Sequence, residues 1–322
     1  MNVFVAGGSG AIGMPLVRAL SAAGHQVTAL TRSVNKRDEL SALGASIAVA
    51  DALDRNALID VVRDARPTHV IHQLTALPKD GPRRASDLAA TNRLRIDGTR
   101  NLLDAAIAVG ARRFIVGSFA PLSPRGPSTR FARPGQAPST GAARAGQAKS
   151  ESEDEAAVAV RSMENQVLDA TQRGVIEGIV LRYGLFYGVE TPSTMAMIEM
   201  VRKRRLPVVR RDAGQLPVIH IDDAVSATVR ALEAGRSGAS YDIVDDRAVS
   251  LTEIVEALAE FTGSPAPLRV PAWLPRLVAP YMARMTSIRM PLSNADAKAE
   301  LGWCPRYPTM RDGLAEMFQP AA

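Results

Sequence analysis

Cysteine, aromatic residues and long apolar runs are all scarce in this chain, and each shortage removes a class of function. One cysteine, Cys304, in 322 residues excludes a disulfide framework and any all-cysteine metal cluster. The four histidines are His25, His69, His72 and His220. The only close pair, His69 and His72, lies in THVIH, a run of strand character in which a spacing of three turns the rings to opposite faces. No metal site is expected. No apolar run approaches the roughly 20 residues of a membrane helix, and the opening MNVFVAGG has no basic leader. A cytoplasmic chain without membrane contact is expected; segment 270–285 is amphipathic, but its prolines favour packing against the protein. Aromatic residues are 4%, and none of the five tyrosines precedes Tyr183.

The net charge of +6 combines 39 basic with 33 acidic residues, interspersed and without interleaved aromatics. That pattern gives no stacking platform, so no nucleic acid partner is expected. The densest basic cluster, Arg202-Lys203-Arg204-Arg205 with Arg210-Arg211, reads as the solvated end of a helix.

What is present is a 46% hydrophobic chain with room for one large domain or two ordinary ones. Strand segments are predicted at 3–6, 26–30, 46–49, 69–72, 114–117 and 178–181, and helices at 14–23, 55–65, 90–109 and 155–173. Strands alternating with helices of this length signal βαβ units and a parallel sheet. VFVA and FIVG are apolar throughout, as strands buried on both faces are. The expected fold is α/β: a Rossmann-type doubly wound parallel sheet over 1–186, with a smaller mixed α/β substrate domain over 187–322, some of whose segments return to the sheet. Helices are expected at 222–234 and 251–262. The stretch 121–155, rich in Pro, Ser, Gly and Arg, reads as a mobile loop.

The segment VFVAGGSGAIGMPLVRAL carries the chemistry. Gly7, Gly10 and Gly13 stand directly after a strand and before a helix, where glycine lets the backbone approach a pyrophosphate and the helix N-terminus presents free N–H groups. An NAD-preferring site places an acid at the end of the second strand. Here no acidic residue precedes Asp38, and the second strand QVTAL runs into Thr31-Arg32. A guanidinium at that place pairs with a 2′-phosphate, so NADP is expected, with NAD possible through a solvated Arg32.

These segments together resemble an extended short-chain dehydrogenase/reductase, the group of nucleotide-sugar epimerases and dehydratases. AGGSGAIG is similar to that family's cofactor loop, and implies contacts from Gly7, Ser9, Gly10, Ala11 and Ile12. ADALD is similar to its adenine segment, which places Asp51 and Ala52 there; VIHQLTAL places Gln73, Leu74 and Thr75 beside the cofactor. DGTRNLLDAA, RRFIVGS, VLRYGLFYG, VIHIDDA and ELGWCP follow in the family's order. The resemblance also implies a homodimer through helices 90–109 and 155–173, and a small-molecule substrate.

The resemblance fails at the catalyst. The family's Tyr-x-x-x-Lys pair falls on EAAVAVRSMENQVLDA, at Ala156/Val160, Ala157/Arg161 or Ala159/Met163, and no register supplies a tyrosine. The family's catalytic hydroxyl falls on Phe119, with Ser118 one residue earlier and on the opposite strand face. Ser118, which also has a cofactor-contacting reading, and Tyr183, in the segment that the resemblance runs beside the nicotinamide, are the candidate catalytic residues. Tyr183 has a purely packing alternative. His72 and His220 read as structural strand histidines, Tyr187 as a loop anchor and Glu164 as facing a packed helix surface. Three functions fit: an atypical NADP-dependent reductase of a carbonyl or enone, a redox-neutral epimerase or dehydratase, and a non-catalytic NADP(H)-sensing protein.

Overall fold

The computed structural model describes residues 1–78, 81–123, 154–209, 214–286, 289–290 and 292–319, so most of the expected loop 121–155 lies outside the described residues. The strands are β1 (Asn2–Ala6), β2 (Gln26–Thr31), β3 (Ser46–Val49), β4 (His69–His72), β5 (Arg113–Phe119), β6 (Glu177–Tyr183), β7 (Leu185–Tyr187), β8 (Val208–Val209), β9 (Val218–His220), β10 (Ser240–Ile243) and β11 (Arg269–Val270). The helices are α1 (Gly13–Ala22), α2 (Arg37–Ala42), α3 (Arg55–Ala65), α4 (Ala89–Arg93), α5 (Thr99–Ala108), α6 (Glu155–Gln172), α7 (Pro192–Arg202), α8 (Ile221–Ala234), α9 (Leu251–Phe261), α10 (Trp273–Val278), α11 (Pro280–Thr286), α12 (Ala295–Leu301) and α13 (Met310–Met317).

Seven strands form one parallel sheet in the order β10-β6-β5-β4-β1-β2-β3. The order reverses between β1 and β4, and in such sheets ligands bind at the carboxyl ends of the strands beside that reversal. Alternation along β1 explains its unbroken apolar sequence. Val3 and Val5 join the core under α1 and α8, whereas Phe4 and Ala6 join the core under α3, α5 and α6. Every strand segment read from the sequence is a strand in this sheet. β10 is the seventh, and its SYDI returns from the C-terminal part of the chain to pair with β6.

The expected helix at 90–109 is a correction. It is broken into α4, a π-helical turn at Leu94–Gly98, and α5. The 3.6-residue apolar period runs through both helices and conceals the wider turn between them. Arg202, Lys203, Arg204 and Arg205 are exposed at the end of α7, as the solvated-cluster reading expects of them, whereas Arg210 and Arg211 lie outside the described residues.

A buried polar cluster ties the C-terminal segment to β7 and β9. His220 caps α8, its Nδ1 accepting from the Asp222 N–H at 3.3 Å, and its ring lies between Tyr187 and Tyr307. Burial holds the imidazole below its usual pKa, against the opposing charges of Asp222 and Asp223. Asp223 accepts from the backbone N–H groups of Arg306 and Tyr307, at 2.7 and 2.9 Å. Tyr187 donates to Asp245 Oδ2 at 2.9 Å, while Oδ1 of the same buried carboxyl has no hydrogen-bond partner among the described residues.

Burial pushes Asp245 from 3.8 to about 8; the Tyr187 hydrogen bond opposes this and the charges of Asp223 and Asp246 add to it. The folded state therefore holds a proton that the unfolded chain releases near pH 4. This stabilisation is complete below pH 4 and disappears as pH rises through about 8. Asp245→Asn is expected to flatten that decline. In urea midpoints taken from pH 5 to 8, the gap between variant and wild type should move in the variant's favour as pH rises. A gap independent of pH would show that Asp245 does not titrate there.

Candidate active site

The chain leaves β1 through a turn that only glycine fits. Gly7 has a φ of 89°, and a Cβ on it would lie 2.7 Å from the Gln73 carbonyl oxygen. A Cβ on Gly13 would lie 2.0 Å from the Gly7 carbonyl oxygen. The loop is thus pressed against both β4's exit and the start of α1. The first turn of α1 carries no acidic residue and no side-chain cap, which leaves its positive dipole end for an anion, although the Met14 N–H already donates to the Gly10 carbonyl and Pro15 has no N–H.

Beside this loop lies a cleft of about 220 Å³, lined by Gly7, Ser9, Gly10, Leu30, Thr31, Arg32, Ala50, Ala52, Gln73, Leu74, Thr75 and Leu94. These are the ends of β1, β2, β3 and β4 and one residue of the π turn. Its depth, its glycine floor and its place at the strand reversal fit a dinucleotide. Ser9 Oγ lies 3.2 Å from Thr31 Oγ1, which in turn accepts from the Ser33 N–H at 3.1 Å. Arg32 is exposed at the rim, with Nη1 3.9 Å from Asp51 Oδ2. Asp51 Oδ1 accepts from the Leu53 N–H, so the carboxylate also shapes the turn. Ala11 is exposed beyond the loop, and Ile12 is buried in the core under α1; neither lines the cleft. Leu30, Ala50 and Leu94 were not read from the sequence. They are apolar strand-end and helix residues with no motif of their own.

Beyond Gln73 the chain is held from below. His72 is buried; its Nδ1 accepts from the Leu74 N–H at 3.1 Å, so its Nε2–H faces Thr99 Oγ1 at 2.9 Å. Burial lowers the ring to about 4, and it is neutral at physiological pH. Thr91 Oγ1 accepts from the Ala76 N–H at 3.0 Å. Residues 74–76 are therefore fixed to both β4 and α4.

α6 carries neither tyrosine nor lysine. Ala156, Val160 and Glu164 follow one another at intervals of four on a single buried face. Glu164, expected on a packed helix surface, is instead the centre of a buried charge cluster. Its Oε1 accepts from Ser118 at 2.5 Å and Ser123 at 2.7 Å, and its Oε2 accepts from Arg182 Nη2 at 2.7 Å. Arg182 stands opposite Ser118 on one side and Asp242 on the other, in the register of β5, β6 and β10. Burial raises Asp242 to about 6; the Arg182 charge opposes this and the Glu164 charge adds to it. Ser118 is thus turned to α6 with its hydroxyl committed to Glu164.

Tyr183 also differs from its expected place. It is buried in the core under α1 and α8, away from the α6 face. Gln73 Nε2 donates to its hydroxyl at 3.0 Å, the hydroxyl donates to Thr228 Oγ1 at 2.7 Å, and Thr228 donates to the Ala224 carbonyl. Burial pushes the phenol up to about 12. A hydroxyl with both valences used and no open face is not placed to protonate a substrate. Gly117 makes the arrangement possible, since a Cβ there would lie 2.1 Å from Gln73 Oε1. Among the described residues, Gln73 is the cleft residue that hydrogen-bonds Tyr183.

Among the described residues, no group of three or more His, Cys, Asp or Glu side chains could hold a metal ion, and no helix is long and apolar enough to cross a membrane.

The model of the NAD dependent epimerase/dehydratase family matches residues 3–245. The chain belongs to that family. It is an NAD(P)-dependent enzyme of the oxidoreductase or epimerase/dehydratase type. Among curated members it is 37% identical to the 3-diazoavenalumate denitrifying reductase of a Streptomyces species, over 98% of this chain and 99% of that one. It is 28% identical to the putative dihydroflavonol 4-reductase of a Synechocystis strain, over 84% of this chain and 76% of the relative. Among solved structures, the NAD complex of UDP-glucose 4-epimerase from Thermus thermophilus superposes with a TM-score of 0.73 over 99% of both chains, at 22% identity. The epimerase/dehydratase fold thus spans the chain from end to end.

Proposed function

We propose that this family member is an NADPH-dependent reductase of a small molecule whose reduction requires no proton from the protein. The observation that carries this reading is the state of the proton donors: α6 has no tyrosine to offer, its buried Glu164 is held by Ser118, Ser123 and Arg182, and Ser118 and Tyr183 both spend their hydroxyls inside the core. A simple ketone develops an oxyanion that needs such a donor. Two acceptor classes avoid the need. A conjugated enone spreads the charge, and a diazo group, of the kind named for the Streptomyces relative, leaves as dinitrogen.

The glycine loop, Thr31, Arg32 and the 73–75 segment would hold the dinucleotide, with Arg32 at the 2′-phosphate. When bound, the nicotinamide supplies hydride: in its diazonium form the substrate gains a C–H bond, the C–N bond breaks, and dinitrogen departs with that bond's electron pair. The protein's own work is to position the acceptor and exclude water. The groove of about 280 Å³ between α5 and α6, bounded by Arg100, Asp104, Asp169 and Arg173, carries both charge signs. Such a surface can complement itself across a two-fold axis, which supports the homodimer expectation.

The test measures NADPH oxidation with 3-diazoavenalumate, an aryl enone and a simple ketone, using wild type and Tyr183→Phe. Expected are turnover of the diazo compound with one dinitrogen released per NADPH, little turnover of the ketone, and retention of most activity by the variant. Loss of activity in a folded Tyr183→Phe protein would restore the tyrosine as the acid. Isomerisation of a substrate without NADPH consumption would support a redox-neutral enzyme instead.

A further inference from the structure

We propose that Arg95 and Asn92 form a carboxylate-binding subsite next to the dinucleotide cleft, and hence that the substrate of the reductase is an acid. The inference rests on the reductase reading only in taking the cleft's neighbour to be the substrate's place. Arg95 is 7% exposed and Asn92 8%. Among the described residues, Arg95 Nη1 and Asn92 Oδ1 are buried with no hydrogen-bond partner. They stand three residues apart, a spacing that puts both on one helix face. An isolated buried guanidinium is among the costliest groups a protein can keep. Burial lowers Arg95 only to about 10, so it carries a full positive charge at neutral pH.

The location gives this charge a purpose. Leu94, its neighbour in sequence, lines the cleft, and the π turn Leu94–Gly98 presents the two residues in different directions. Turns of this kind recur at functional sites. The Arg95 charge is felt by His72 at the end of β4 and by Tyr281 on α11, so it lies between the sheet's carboxyl edge and the C-terminal part of the chain. The other ionisable groups around Tyr281 are Asp154 and Arg284. Asp154 caps α6 by accepting from the Ala156 N–H, and His72 is neutral, so among the described residues no carboxylate forms an ion pair with Arg95. A guanidinium fork matches a carboxylate, and the Asn92 amide, turned about its axis, offers an N–H to the same anion.

The experiment uses the NADPH-loaded protein, and titrates cinnamate and its neutral isostere cinnamamide by calorimetry into wild type, Arg95→Met and Arg95→Lys. Expected is a wild type that prefers cinnamate, a loss of about 100-fold in cinnamate affinity in Arg95→Met, and a smaller loss in Arg95→Lys. Cinnamamide and NADPH affinities should not change, and the melting temperature of Arg95→Met should not fall. Equal wild-type affinity for acid and amide, binding of neither, or weakened NADPH binding in Arg95→Met would each overturn the subsite. So would a fall in melting temperature with unchanged cinnamate affinity, because that marks a structural arginine; if Arg95→Met does not fold, Arg95→Lys decides. None of these measurements reads turnover. Acid-selective binding without reduction of a diazo substrate would therefore sink the reductase reading alone, and turnover without acid selectivity would sink the subsite alone.

Discussion

Replacing Glu164 with Ala is expected to lower the unfolding free energy by about 3–5 kcal/mol, the usual cost of breaking a buried ion pair by removing one partner. Glu164 is 1% exposed and the Arg182 side chain 11%. The variant deprives Ser118 and Ser123 of their acceptor and leaves the guanidinium beside the Asp242 charge on the neighbouring strand. That neighbouring charge makes the loss depend on pH. Asp242 titrates at about 6 in the intact cluster, and lower once the Glu164 charge that raises it is gone. At pH 7.5 it is ionised and takes over part of the arginine's charge. As pH falls through its pKa the arginine loses that neighbouring anion, and the deficit grows. Glu164→Gln keeps an acceptor for both serines and should lose less at either pH. Urea midpoints at pH 7.5 and 4.5 check this. A change below about 1 kcal/mol at both, within the range of exposed pairs, would mean that the cluster contributes nothing to stability.

The central strands β1 and β5 were legible because burial on both faces leaves an apolar signature, whereas the partly exposed edge strand β3 was legible only through its place in the strand–helix alternation. The glycine loop was legible because its constraint is steric and local. The charge cluster was not. Glu164 and Arg182 are 18 residues apart in sequence, and meet only because β5 and β6 pair in a register that also puts Ser118 beside Arg182. The same register decides Tyr183. Alternation along β6 says that Tyr183 faces away from Arg182, but no feature of the sequence says which of the two faces looks toward α6. Once the sheet is assembled, the α6 face belongs to Arg182, and the tyrosine is inside the opposite core. Arg95 and the π turn were hidden for a different reason. Five residues of wider helix leave the apolar periodicity on either side intact, and an arginine in a helix reads as solvated until tertiary packing buries it.

Cofactor choice is the second large effect, and Arg32→Asp is expected to invert it. In the proposed complex Arg32 is the cation that lines the cleft, whereas Lys36 does not line it and is paired with Glu39 at 2.7 Å. Removing the guanidinium loses a charge-assisted pair with the 2′-phosphate, worth about 1.5–3 kcal/mol. The introduced carboxylate repels that phosphate and accepts from the ribose 2′-OH of NADH, for roughly 1–2 kcal/mol more. Together these shift the NADPH to NADH ratio of kcat/KM by about 1000-fold, near 4 kcal/mol. The Arg32–Asp51 pair does little to offset this, since it spans 3.9 Å between two exposed groups. Arg32→Ala separates the two contributions: it loses the attraction without gaining the repulsion, so its ratio should fall by tens rather than thousands. The Ser9 and Thr31 hydroxyls remain at the same rim as neutral groups, so NADPH binding should weaken in Arg32→Ala without vanishing. Steady-state kinetics with both cofactors decide the matter. A wild type that prefers NADH, or an Arg32→Asp variant with an unchanged ratio, would remove Arg32 from the 2′-phosphate site and return cofactor selection to Asp51 and the adenine end of the cleft.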